Sequence, residues 1–190
     1  MSEQDVAQYW FENKYAAMMI FKATSDYTAA RCCILNALFS GFMLASQAIE
    51  KLLKAMIYLE SHREMKSCHD PFSLKEQLKS LRDYDLDKYD FILKKLYDHY
   101  QSRYHDNKTT GAGASSTELP DIDALWLELI HKLPVPDEAK YRIAFFDFLF
   151  DPNPYWNNDY WLKAANSAIE SKLPSMAVKY QEIQKHLYPA

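Results

Sequence analysis

The chain has 190 residues, 48% hydrophobic and 25% charged, which is the composition of an ordinary soluble globular protein of one domain, with or without an extension. A formal charge of -4 gives no overall field to attract nucleic acid, and 3 glycines with little Val–Thr alternation argue against an all-β fold. The charge is mildly uneven, since residues 51–108 hold 12 Lys/Arg against 10 Asp/Glu. Cys32, Cys33 and Cys68 are odd in number, and two of them are adjacent in an apolar run. They read as reduced thiols of a cytoplasmic protein, not as a disulfide framework. The acidic, polar start MSEQDVAQYWFENK has no secretory character. Cys32 to Ile49 is uncharged for 18 residues, but Asn36, Ser40, Gly41, Ser46 and Gln47 interrupt it. It reads as a buried helix, a turn and a second helix, and not as a membrane span.

Taken in order, residues 7–35 have continuous helical character, with Asn36 as the expected C-cap and residues 37–41 as a short turn. Residues 40–60, SGFMLASQAIEKLLKAMIYLE, form the central helix. Phe42, Ala45, Ile49, Leu52, Leu53 and Met56 share its apolar face, while Gln47, Glu50, Lys51 and Lys54 make a polar stripe on another. A connection this short makes the first two helices antiparallel neighbours. Asp70 followed by Pro71 starts a third helix through Leu81, and residues 85–103 form a fourth with a 3.6-residue apolar repeat. Residues 106–120, rich in small polar side chains, read as a flexible loop. Helices are expected over 122–133, 137–150, 159–171 and from Pro174 to His186, an aromatic-rich extension that completes the bundle. The expectation is one all-α domain over 1–190: an up-and-down four-helix bundle with additional C-terminal helices.

Three of these pieces together resemble a known family. They are SQAIEKLLKAMIY at 46–58, Cys68-His69-Asp70 opening a helix, and Gln101-Ser102-Arg103-Tyr104 ending one. Ser25 to Arg31 also fits that family's first helix. The chain resembles the HEPN domain over roughly residues 12–105, with the likeness resuming near 160–173. The resemblance implies a helical bundle that forms a homodimer. It also implies one of three roles: a metal-independent ribonuclease of toxin or phage-defence systems, a helper of a separate nucleotidyltransferase, or a non-catalytic nucleotide- or partner-binding module. The ribonuclease branch carries an Arg, four to six residues, then a His near the start of its final helix. No His stands at that distance after Arg103 or Arg142. Arg63 and His69 match the spacing, but in the loop between the second and third helices. The non-catalytic accessory module is therefore the reading, with no cofactor and no metal.

His69, Asp70, Arg103 and Tyr104 form one candidate ligand-binding group, if the third helix starts where the fourth ends. His can exchange a proton near neutral pH, and Arg can grip a phosphate. The plainer alternative gives Asp70 to the helix cap and His69 to a hydrogen bond within the bundle. Gln47, Glu50, Lys51 and Lys54 are a second candidate group, for a nucleotide, RNA or a protein partner. Their plainer reading is a solvated stripe with Glu50–Lys54 as an i,i+4 pair. Arg63 and His69 are the candidates for any catalysis. The aromatic segment 141–161 reads as core or subunit interface, because too few cations accompany it for nucleic-acid binding.

Overall fold

A computed structural model describes residues 1–65, 67–101, 116–151 and 158–188. Those residues form eleven α-helices and no strand, so the chain is all-α. The first helical run is two helices. α1 (Glu3–Glu12) opens on a reciprocal capping box, in which Ser2 Oγ accepts from the Asp5 amide and the Asp5 carboxylate accepts from the Ser2 amide. It ends at Asn13, whose side-chain amide donates to the Tyr9 carbonyl at 2.9 Å and competes with the helical ladder.

α2 (Lys14–Leu35) and α3 (Ser40–Ser61) are joined by a tight turn in which Ala37 is left-handed, at φ 56°. Three contacts fix their antiparallel register: Gly41 against Ile34, Lys51 paired with Asp26, and Tyr58 on Tyr15 with rings 4.9 Å apart. The numbers rise along one helix as they fall along the other. The apolar face read from α3 is buried as expected, with Ala45, Ile49, Leu52, Leu53 and Met56 all enclosed.

α4 (Pro71–Leu81) starts where Asp70 and Pro71 place it. Asp70 Oδ1 accepts from Phe72 N at 3.0 Å and Oδ2 from Ser73 N at 3.2 Å, satisfying two free donors of the first turn. The fourth helix begins later than expected. A 3₁₀ turn at Asp87–Tyr89 precedes α5 (Asp90–Gln101), and Lys75 Nζ from α4 ties to Asp87 at 2.9 Å and Asp90 at 2.6 Å. α5 runs antiparallel to α3, because His99 stacks on Phe42 at 4.6 Å near one end. Near the other, the Tyr84 hydroxyl donates to Glu60 at 2.6 Å. α2 to α5 are the four-helix bundle, with α3 at its centre.

The C-terminal helices close over this bundle. Ser116–Glu118 is a 3₁₀ turn leading into α6 (Leu119–Lys132), so the end of the expected 106–120 loop is helical; residues 106–115 lie outside the described ones. Trp126 of α6 stacks on Tyr27 of α2, with rings 4.2 Å apart and 9° from parallel. The helix expected over 137–150 is α7 (Asp137–Lys140) and α8 (Ala144–Phe150), separated by Ile143 in extended backbone. The helix expected over 159–171 is α9 (Asn158–Lys163) and α10 (Ser167–Glu170). Ala165 is left-handed between them, and buried Asn166 donates to the Leu162 carbonyl while accepting from the Ile169 amide. α11 (Leu173–Leu187) ends the fold. Phe145, Phe146, Leu162, Ile169 and Met176 join the same apolar core as α3. Among the described residues, no helix is long and apolar enough to cross a membrane.

Candidate functional site

The α3 stripe departs from the solvated face expected of it. Glu50 and Lys54 form their i,i+4 pair, with Lys54 Nζ 2.7 Å from Glu50 Oε1, but both side chains are buried, at 10% and 5% exposure. The stripe is covered because the segment after α3 folds back over it. His69 lays its Nδ1 3.0 Å from the same Glu50 oxygen, and its ring stands 6.3 Å from Tyr100 of α5, 18° from parallel. Glu50 therefore serves two partners, one ammonium inside the bundle and one imidazole that is half exposed. Lys51, one residue on, turns the other way and pairs with Asp26 of α2. Gln47 is half-buried beside them. Glu50 and Lys51 of the stripe thus point to two different neighbours, His69 and Asp26.

This geometry has a definite chemical meaning. A carboxylate beside Nδ1 fixes the orientation of the imidazole ring. Lys54 neutralises Glu50 from the other side, which keeps the carboxylate from standing alone in a poorly solvated place. Asp70 is spent on the α4 cap, since it accepts from two backbone amides and from Ser73 Oγ at 2.6 Å. Of the expected group of His69, Asp70, Arg103 and Tyr104, the first two are among the described residues. His69 and Asp70 flank the start of α4, and His69 reaches the end of α5 through Tyr100; Arg103 and Tyr104 lie outside the described residues. Arg63 is exposed just past α3, and no hydrogen bond or ion pair links it to His69 among the described residues. Among those residues, too, no three of His, Cys, Asp and Glu gather as a metal site.

The aromatic segment divides. Phe145 and Phe146 are core, Phe148, Phe150 and Trp161 are half-buried, and Tyr160 is 58% exposed; residues 152–157 lie outside the described ones. A cavity of about 690 Å³ opens on this side of the fold, between α2, α8 and α9.

The most enclosed charged group among the described residues was not singled out from the sequence. Arg31 of α2 is fully buried and paired with Asp123 of α6. Asp123 also accepts from the Tyr27 hydroxyl at 2.6 Å, and burial beside that carboxylate holds the phenol well above its ordinary range. Arg31 Nε donates to the Trp161 carbonyl at 2.7 Å and Nη2 to that of Ala164, so one guanidinium fastens α2, α6 and α9 together. A signal was present. Tyr27 and Arg31 are an i,i+4 pair beside Ala23, Ala30 and Ile34, apolar positions at helical spacing, where a charge needs a buried partner. Nothing local could name Asp123.

Compared with protein-family models, curated protein sequences and solved structures, the chain finds no match.

Proposed function

We propose that the chain is a HEPN-like module that binds a protein partner without acting on RNA. One observation carries this reading: both lysines of the α3 stripe are already paired, Lys51 with part-exposed Asp26 and Lys54 with Glu50 inside the bundle. A phosphate arriving at this stripe would meet no free ammonium and would face Glu50 and Asp26. The same residues carry the likeness to the family, and their charges are met within the fold: Lys51 ties α3 to α2, and Glu50 ties α3 to the loop before α4.

Catalysis is disfavoured on the same geometry. His69 is oriented by Glu50, yet in-line chemistry on a phosphodiester also needs a cation to hold the phosphate, and Arg63 stands unlinked to it. Purified protein incubated at stoichiometric concentration with total RNA is expected to leave the RNA intact, and titration with ATP is expected to give no saturable binding. RNA cleavage that His69→Ala abolishes would overturn the proposal in favour of a ribonuclease. Saturable ATP binding that Lys51→Ala removes would overturn it in favour of a nucleotide-binding helper.

A further inference from the structure

The cavity between α2, α8 and α9 is chemically distinct from the α3 site. Its apolar walls are the rings of Phe21, Phe148 and Trp161. Phe21 is 54% exposed at the rim and meets Phe148 edge-on, with ring centres 6.3 Å apart. Its charged walls are Asp147 and Asp151, and among the described residues no Lys, Arg or His lines it. A smaller cavity of about 270 Å³ continues past Phe21, Asp147 and Phe148 toward Trp10 and Arg142.

The polar atoms divide into those already satisfied and those still open. Ser25 Oγ donates to the Phe21 carbonyl at 3.0 Å and Thr28 Oγ to that of Thr24 at 2.9 Å, so both hydroxyls are spent on their own helix. Asp147 is weakly held: the Tyr180 hydroxyl stands 3.4 Å away, and Arg142, in the smaller cavity, is 3.6 Å away. Asp151 has no side-chain partner among the described residues. One wall is rigid, because the Trp161 carbonyl is bound by buried Arg31.

These features select a charge. An anion would face two carboxylates with no cation in the larger cavity. A neutral apolar guest would strip water from Asp147 without replacing it. An organic cation would place its charge against both carboxylates and against the faces of Phe and Trp rings, and its hydrocarbon part against the remaining apolar wall. The volume lies within the usual range for small-ligand sites, roughly 300–1,000 Å³. We propose that this cavity binds an organic cation with an apolar body, a primary amine or guanidine on an aromatic or branched frame. The proposal is independent of whether the α3 site serves a partner.

Isothermal titration of the full chain with 2-phenylethylamine and with its neutral isostere 2-phenylethanol tests it. The amine is expected to bind saturably and at least roughly tenfold more tightly than the alcohol, one carboxylate contact being of that order. Asp151→Asn, at an exposed position outside the core, is expected to weaken the amine by a similar factor while leaving the circular dichroism spectrum unchanged. Phe148→Leu, which keeps the bulk and removes the ring, is expected to weaken it by less. Equal binding of amine and alcohol, no saturable binding of the amine, or amine binding untouched by both Asp151→Asn and Phe148→Leu would each overturn the proposal.

Discussion

Arg31 shows how one side chain can hold three helices, and the cost of removing it follows from what it leaves behind. Asp123 is 1% exposed, so without the guanidinium its carboxylate keeps only the Tyr27 hydroxyl, and the carbonyls of Trp161 and Ala164 lose their donor. Breaking a buried pair from one side typically costs about 3–5 kcal/mol, because the remaining charge is uncompensated. Arg31→Met is therefore expected to lower unfolding free energy by about that much in urea titration. Asp123→Leu added to it removes the stranded charge. The double variant is expected to lose less than the sum of the two single losses, while the two orphaned carbonyls keep it below wild type. Strict additivity in that cycle would mean that the pair does not act as a unit.

Between α2 and α3, the backbones come close at Gly41, where α3 leaves the turn. A methyl group there would sit 2.6 Å from Ile34 Cγ1 and 2.9 Å from both the Ala30 carbonyl oxygen and the Ile34 nitrogen. Ile34 could rotate, but two of the three obstacles are backbone, so the helices themselves must separate. Ala is otherwise the better helix former by about 1 kcal/mol, and the sign of Gly41→Ala shows which effect prevails. Overpacking is expected to prevail, with a net loss of about 1–3 kcal/mol read as a lowered midpoint in thermal unfolding. A raised midpoint would mean that the helices part easily at this point.

The same stretch shows what was legible. The apolar face of α3, the turn at Asn36 and the Asp70–Pro71 start were readable because each rests on a local rule: a 3.6-residue period, a terminating residue, a cap. The breaks at Asn13, Ile143 and Ala165 were not. No glycine or proline stands at any of them, and two depend on a side chain, Asn13 or Asn166, choosing a backbone partner over continued helix. The burial of Glu50 and Lys54 was equally hidden. It depends on where the loop carrying His69 lands, and a residue 19 positions away leaves no periodic trace.

Taken as a whole, the molecule stores much of its response to pH in two imidazoles, His99 in the core and His131 at the surface. His99 is 2% exposed between Phe39 and Phe42, and burial pulls its pKa below the ordinary 6.5. Lys95 acts in the same direction, while Glu118 and Asp98 oppose it. His131, whose side chain is exposed at the end of α6, is lowered as well, by partial desolvation from its neighbours and by Lys172 and Lys140, with Glu128 opposing. A group whose folded pKa is depressed is protonated first in the unfolded chain. Its stabilising contribution is complete above the unfolded value and is lost as pH falls through the folded one. A second, more acid window belongs to Asp87, which hydrogen bonds from Lys79 and Lys75 hold at about 2 against an ordinary 3.8. Its contribution is kept above 3.8 and lost as pH falls toward 2. Urea midpoints are therefore expected to fall first as pH drops below the ordinary imidazole value of 6.5, with a separate loss on strong acidification. His99→Gln cannot titrate, so it is expected to be less stable at neutral pH yet to lose less on going to pH 5 or so, and His99→Gln with His131→Gln less again. If the double variant keeps the full wild-type slope across that window, the response lies in other groups and these two imidazoles are bystanders.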